Sequence, residues 1–117
     1  MKPVTLNGIV AAIIAIFFTV NLSAQSTLNT DTLKVSGNCE SCKKRIEGAA
    51  LKTKGVKTAV WDIKTAMLTV SYDAAKTSLI AVGENIAKAG YDNGIAKSAD
   101  PAYNKLPACC KYERASK

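Results

Sequence analysis

Cys39 and Cys42, separated by Glu40-Ser41, and the adjacent pair Cys109-Cys110 are the residues whose types and spacing promise chemistry in this chain of 117 residues. There is no histidine, which removes Ser-His-Asp and Cys-His catalysis and removes imidazole as a metal ligand. Any metal must be held by the four cysteines, with carboxylates, Met67 or backbone as weak supplements. Two thiols three residues apart suit a soft metal ion or disulfide exchange, since both need two thiolates that converge on one point. A structural disulfide, or thiols used only for packing, is a third use of the same spacing.

The residues around Cys39 and Cys42 suggest how they are positioned. Leu33-Lys34-Val35-Ser36 alternates as a half-buried strand does, with Leu33 and Val35 on one face. Gly37-Asn38 breaks that run, and both residue types tolerate the positive φ of a tight turn. Cys42, Ile46, Ala49, Ala50 and Thr53 then recur at helical spacing, which predicts a helix over Ser41–Lys54 closed by Gly55. The thiols therefore fall on a strand-to-helix loop at a helix N-terminus, where unpaired N–H groups and the helix dipole favour thiolate over thiol. Lys43, Lys44 and Arg45 push the same way. Glu40–Lys44 and Lys43–Glu47 are spaced as ion pairs on the outer side of the helix.

The rest of the chain supplies a scaffold. Val56 to Ile63 alternates, with Ala59, Trp61 and Ile63 on one face and Val60 and Asp62 on the other. Lys64-Thr65-Ala66 turns the chain, and Leu68, Val70 and Tyr72 alternate with Met67, Thr69 and Ser71 as the partner strand. Trp61 and Tyr72 are expected in the core; Val60 and Met67 face away from the helices, as scattered surface residues or a small partner patch. Ser78 can cap a second helix whose Leu79, Val82, Gly83, Ile86 and Gly90 share a face. Gly83 is expected to mark close packing against the sheet, and Gly90 to end the helix. Tyr91 to Lys97 reads as a weak last strand. The order β-α-β-β-α-β places the chain in the α+β class, as a ferredoxin-like fold with a four-stranded antiparallel sheet and both helices on one face. A thioredoxin-like fold also places C-x-x-C before a helix, but it needs more strands and usually a cis-proline facing the thiols. Beyond Pro3 the prolines here are Pro101 and Pro107, both in the tail.

Four segments are expected: residues 1–24 a signal peptide, 25–31 a polar linker, 32–97 the domain and 98–117 an irregular tail. Lys2 provides a positive start, Ile9 to Val20 form an apolar run of 12 residues (Thr19 aside), and Leu22-Ser23-Ala24 ends in small residues. That run is shorter than the roughly 20 apolar residues of a membrane span, so no stable span is expected once it is cleaved. The expected location is exported, periplasmic or otherwise extracytoplasmic. Sixteen basic against nine acidic residues give a net charge of +7. The basic residues are spread out, with one cluster at Lys43-Lys44-Arg45. This is not the basic stripe with interleaved aromatics of a nucleic-acid binder, and an acidic partner or anionic surface suits it better.

Residues Thr32 to about Ala96 resemble a heavy-metal-associated domain, the module of copper chaperones, copper-transporting ATPases and periplasmic mercury-binding proteins. The matching residues are Val35-x-Gly37, Cys39-x-x-Cys42, Gly55-Val56, Asp62, Val70-x-Tyr72-Asp73 and Ala89-Gly90-Tyr91. The resemblance implies Cys39 and Cys42 as metal ligands and Tyr91 as a residue flanking the site. It departs from the family pattern at Gly37-Asn38-Cys39, one residue shorter than the usual Gly-Met-x-Cys and without the methionine that normally packs beneath the loop.

The function expected from residues and resemblance together is binding and transfer of a soft metal ion. Cu(I) comes first, then Hg(II), with Cd and Zn as further candidates; Zn(II) would want four ligands. The partners would be a metal-donor or acceptor protein, a transporter or a cuproprotein, and no catalytic reaction is implied. The alternative is a small thiol–disulfide oxidoreductase using the same pair, and a third reading is a module stapled by two disulfides. In the tail, strain in a vicinal disulfide disfavours a bond between Cys109 and Cys110. From Ser98 to Ala108 an extended chain reaches roughly 36 Å, enough to bring either thiol back to Cys39 and Cys42. One of them would then supply a third thiolate or hold a second ion between chains; otherwise the tail is disordered with incidental thiols, or disulfide-bonded to the loop.

Overall fold

The structure, a computed structural model, describes residues 27–114. The expected signal peptide lies outside the described residues. Three antiparallel strands, β1 (Leu28–Lys34), β2 (Val56–Trp61) and β3 (Met67–Asp73), form a sheet in the order β1-β3-β2. Two main helices, α1 (Glu40–Leu51) and α2 (Leu79–Lys88), complete a ferredoxin-like α+β domain. A short helix α3 (Asp100–Asn104) and a 3₁₀ turn (Ala108–Cys110) follow.

Alternation works as the sequence suggests. Leu33 of β1, Ala59 and Trp61 of β2, and Leu68, Val70 and Tyr72 of β3 are buried in one core with Ile46 of α1 and Val82 and Ile86 of α2. Val60 is 59% exposed on the opposite side. Ile63, expected to face inward, lies beyond the end of β2 and is exposed. β1 begins at Leu28, inside the stretch read as a linker, and pairs with β3 through to Lys34 opposite Met67.

The expected fourth strand does not form among the described residues. Only an isolated bridge joins Val35 to Asn93, with Ser36 N–H donating to the Asp92 carbonyl (2.9 Å) and Gly94 N–H to the Lys34 carbonyl (3.0 Å). Asn93 is the reason. Its side-chain oxygen accepts from the backbone N–H of Ile95 (3.0 Å) and Ala96 (3.1 Å), while its amide donates to the Gly83 carbonyl (2.8 Å). A side chain that saturates its own neighbours' backbone competes with a ladder, and residues 93–96 curl into a turn.

Boundaries and glycines also differ from expectation. α1 stops at Leu51, and Gly55, at φ +100°, instead makes the left-handed turn into β2. Gly83 packs against the Asn93–Ile95 turn and not the sheet: a Cβ there would come within 2.7 Å of the Ile95 Cβ. Ser78 does cap α2, accepting from the Ala81 N–H at 3.2 Å. Asp62, one of the residues carrying the family resemblance, serves the β2–β3 turn, where its carboxylate accepts from the N–H of Lys64 and Thr65. Of the two spaced ion pairs on α1, Lys43–Glu47 forms at 2.7 Å, and Glu40–Lys44 is absent from the ion pairs of the described residues.

Within the described part of the stretch expected to be an irregular tail, Asp100–Asn104 and Ala108–Cys110 are helical. Pro101 sits at the start of α3, where its missing N–H costs nothing. Leu106 and Tyr112 join the core, and the segment packs across the end of the domain that carries the cysteine loop.

Candidate metal centre

Cys39 is the N-cap residue of α1, in extended conformation, and Cys42 sits in the first turn, fully buried. Their loop is held from beneath by Trp61. The indole N–H donates to the Val35 carbonyl (3.1 Å), and a Cβ at Gly37 would meet the ring at 3.0 Å. Neither Gly37 nor Asn38 has a positive φ, so Gly37 is needed for close approach and not for a left-handed turn. Trp61 is fixed in turn by α1: Glu47 accepts from its backbone N–H (2.8 Å), and Lys43 bridges Glu47 and the Trp61 carbonyl, each at 2.7 Å. A tryptophan from β2 thus supports the loop from beneath.

Three sulfurs converge at this end of the domain. The Sγ of Cys39 lies 3.3 Å from that of Cys42 and 3.9 Å from that of Cys110, and all three lie within 4.8 Å of one another. Cys42 and Cys110 are buried, Cys39 is half-buried, and all are free thiols. The Cys39 thiol also donates to the Cys109 carbonyl (3.1 Å), and the Cys42 thiol to the Asn38 side-chain oxygen (3.2 Å). Cys109 itself is exposed and outside the cluster, its Sγ 3.9 Å from that of Cys110.

The environments of these groups differ. The backbone N–H of Cys42 aimed at the Cys39 sulfur lowers its pKa, against the effect of partial burial and with help from Cys42, Cys110 and the Ser41 N–H. Burial pushes the Cys110 thiol up to about 12, although Tyr91 pulls the other way. Tyr91 is fully buried, and burial raises its pKa far above the usual phenol value, with the neighbouring Cys110 and Cys42 adding to the rise. Its hydroxyl makes no hydrogen bond of normal geometry among the described residues, although it lies near enough to the Cys110 and Cys42 thiols to interact with both.

The tail that delivers Cys110 is bolted down. The Tyr112 hydroxyl donates to the Gly90 carbonyl and accepts from the Asp92 N–H, both at 2.8 Å. The ring of Tyr112 stacks on Tyr91 (centroids 5.8 Å apart) and meets the edge of Tyr103 (5.1 Å). Arg114 reaches Asp92, Asp100 and the Ser98 carbonyl, with its guanidinium 4.9 Å from the centre of the Tyr103 ring.

The structure brings the sulfurs of Cys39, Cys42 and Cys110 together, with Tyr91 beside Cys42 and Cys110, and leaves the Cys109 sulfur outside the cluster. Sequence reasoning missed Asp92, Tyr103, Tyr112 and Arg114, gave Asn38 only a turn role and Glu47 only an ion pair, and treated Trp61 as core only. Asp100-Pro101 as a helix start and Tyr103, Leu106 and Cys110 at i, i+3 and i+7 were the signals of a packed tail.

Two grooves of about 570 and 640 Å³ carry much of the local basic charge. Arg45, Lys88, Lys97 and Lys105 line the first, with Glu84; Lys44, Arg45, Lys52 and Lys88 line the second. Neither is lined by a cysteine. No helix among the described residues is long and apolar enough to cross a membrane.

Residues 32–92 match the family of the heavy-metal-associated domain. A zinc-transporting ATPase of Synechocystis is 39% identical over 79 residues, a match covering 67% of this chain and only 11% of the ATPase. The periplasmic component of a mercuric transport protein from Shewanella putrefaciens is 33% identical over 85 residues, covering 72% of this chain and 93% of that protein. Among solved structures, the N-terminal domain of a potential copper-translocating P-type ATPase from Bacillus subtilis, in its Cu(I)-loaded state, superposes with a TM-score of 0.54. It is 26% identical, and the match covers 62% of this chain and 92% of that one.

Proposed function

The chain belongs to the heavy-metal-associated domain family, and from that premise we propose that it is an exported carrier of a soft metal ion, Cu(I) first, bound by Cys39 and Cys42. One observation carries the proposal: the sulfurs converge at 3.3 Å on the first turn of α1, in a chain with no histidine. A donor set made only of sulfur selects soft ions, and Zn(II) would look for a fourth donor that the cluster lacks. The Cu(I)-loaded state of the Bacillus subtilis domain supports copper; the Shewanella putrefaciens protein supports mercury and a periplasmic setting. The ion is cargo. Nothing in the cluster calls for a bond-making step, so no enzyme activity is assigned. The recipient or donor is a metal-handling protein with an acidic docking face, complementary to the basic grooves beside α1 and α2.

Competitive Cu(I) titration of the reduced protein tests the ligands. Cys39→Ser/Cys42→Ser is expected to lower affinity by at least 100-fold; unchanged affinity would refute the assignment. Elemental analysis and thiol counting on protein from its native compartment identify the ion and test export. The close approach of half-buried Cys39 to Cys42 also suits thiol–disulfide exchange. Insulin-reduction turnover matching a thioredoxin control would favour that second reading.

A further inference from the structure

We propose that Cys110 is a third ligand carried by the chain itself, so that the ion sits in a three-thiolate site of Cys39, Cys42 and Cys110, closed by the folded tail. This rests on the reading that Cys39 and Cys42 hold a soft ion. Three independent features point to it.

The first is distance. Three sulfurs around one ion, each about 2.3 Å from it, stand about 4 Å apart, whereas two sulfurs in line stand about 4.6 Å apart. The observed 3.3 and 3.9 Å separations, with all three sulfurs inside 4.8 Å, match the triangle better than the line. Little rearrangement is needed to close it.

The second is the preorganisation of Cys110. Its thiol is presented by a 3₁₀ turn between Leu106 and Tyr112, both buried, and Tyr112 is tied to Gly90 and Asp92 on the loop that also carries Tyr91. A disordered tail would lose conformational entropy on reaching the ion, and this one has already lost it in folding. Adjacent Cys109 is left exposed, so the turn selects one of the two thiols.

The third is Tyr91. A fully buried phenol that makes no hydrogen bond of normal geometry is rare in a folded protein, and the groups beside this one are the thiols of Cys42 and Cys110. A metal-bound thiolate is the acceptor that the hydroxyl lacks, and hydrogen bonds to charged sulfur are among the stronger kind.

Loading is balanced without electron transfer. Three S–H bonds break, three metal–sulfur bonds form, and three protons pass to solvent. Cys110 would then hold the position that an incoming partner thiol needs. Transfer would require the tail to release, so the tail favours retention over exchange.

X-ray absorption on the full chain loaded with one Cu(I), kept monomeric and checked by native mass spectrometry, tests this. Three sulfurs are expected for the wild type and for Cys109→Ser, and two at shorter bond lengths for Cys110→Ser and Cys110→Ala. The Cys110 variants are also expected to pass Cu(I) to a competing chelator at least tenfold faster. An unchanged sulfur count and bond length in both Cys110 variants would overturn the proposal, as would a third sulfur that vanishes on dilution and so belongs to a second chain. Full Cu(I) affinity in Cys39→Ser/Cys42→Ser would instead overturn the carrier reading, so the two failures are distinct.

Discussion

Arg114 grips Asp92 through two parallel hydrogen bonds, Nε to Oδ2 and Nη2 to Oδ1, each 2.9 Å long. The fork geometry suits a guanidinium and not an ammonium. The pair joins the last described residue to the loop that follows Tyr91, locking the segment that carries Cys110. Arg114→Ala is expected to raise hydrogen exchange at residues 108–112, with the sheet amides unchanged. Arg114→Lys should restore little of the protection, because an ammonium cannot make the paired contact. Wild-type exchange at those amides in Arg114→Ala would show that the pair does not hold the tail.

The same contact gives the tail a pH dependence. Burial works against the charge on Asp92, but the Arg114 guanidinium and the Ser98 N–H outweigh it and hold the carboxyl below the usual range. A folded pKa below the unfolded value of about 3.9 means a contribution that is complete above that pH and is lost as pH falls through the folded value. Tail amides should therefore lose protection in acid before the sheet does. Asp73 is also held low, by the Thr27 hydroxyl, but it lies at the opposite end of β1 from the cysteine loop, so residue-resolved exchange separates the two. Asp92→Asn should abolish the acid transition of the tail; its persistence would assign the transition to another group.

How much of this was legible depends on where the burial signal lay. α1, α2 and the β2–β3 hairpin each bury one face, so the spacing of Ile46, Ala49 and Ala50, of Val82 and Ile86, and of Leu68, Val70 and Tyr72 reports the contact directly. Cys39 and Cys42 were readable for the same reason, being placed by a local change of period. The fourth strand was misread because apolar content at Tyr91 and Ile95 says nothing of the Asn93 side chain that turns the backbone there. Cys110 needed information that no local pattern holds: its contact with Cys39 spans 71 positions and depends on Tyr112 and Arg114 finding Gly90 and Asp92. Composition made the tail look unstructured, and tertiary packing overrode it.

Gly37 and Trp61 should behave as one unit. A methyl at Gly37 would stand 3.0 Å from the indole ring and 3.1 Å from the Ile46 Cδ1, and neither can retreat in a filled core. Gly37→Ala is expected to cost about 1–3 kcal/mol, as overpacking does. Trp61→Phe leaves space and loses the bond to the Val35 carbonyl, and is destabilising by itself. In the double variant the smaller ring makes room for the methyl, so the two losses should sum to more than the observed one by at least 0.5 kcal/mol. Urea denaturation of the four proteins measures the coupling; strict additivity would mean that the ring does not support the loop.

Tyr91→Phe should separate the two states of the site. In the metal-free protein the buried hydroxyl makes no hydrogen bond of normal geometry among the described residues, and removing it leaves the stacked contact with Tyr112 in place. Relief of that unmet desolvation should leave stability unchanged or raise it by about 1 kcal/mol. In the loaded protein the hydroxyl gains a thiolate to donate to, so its removal should weaken metal binding, by roughly the tenfold or more seen when a ligand's hydrogen-bond partner is lost. The signs are opposite. Thermal unfolding without metal and Cu(I) competition on the same variant read them independently. A variant that loses stability without metal and keeps full affinity would make Tyr91 a packing residue with no part in holding the ion.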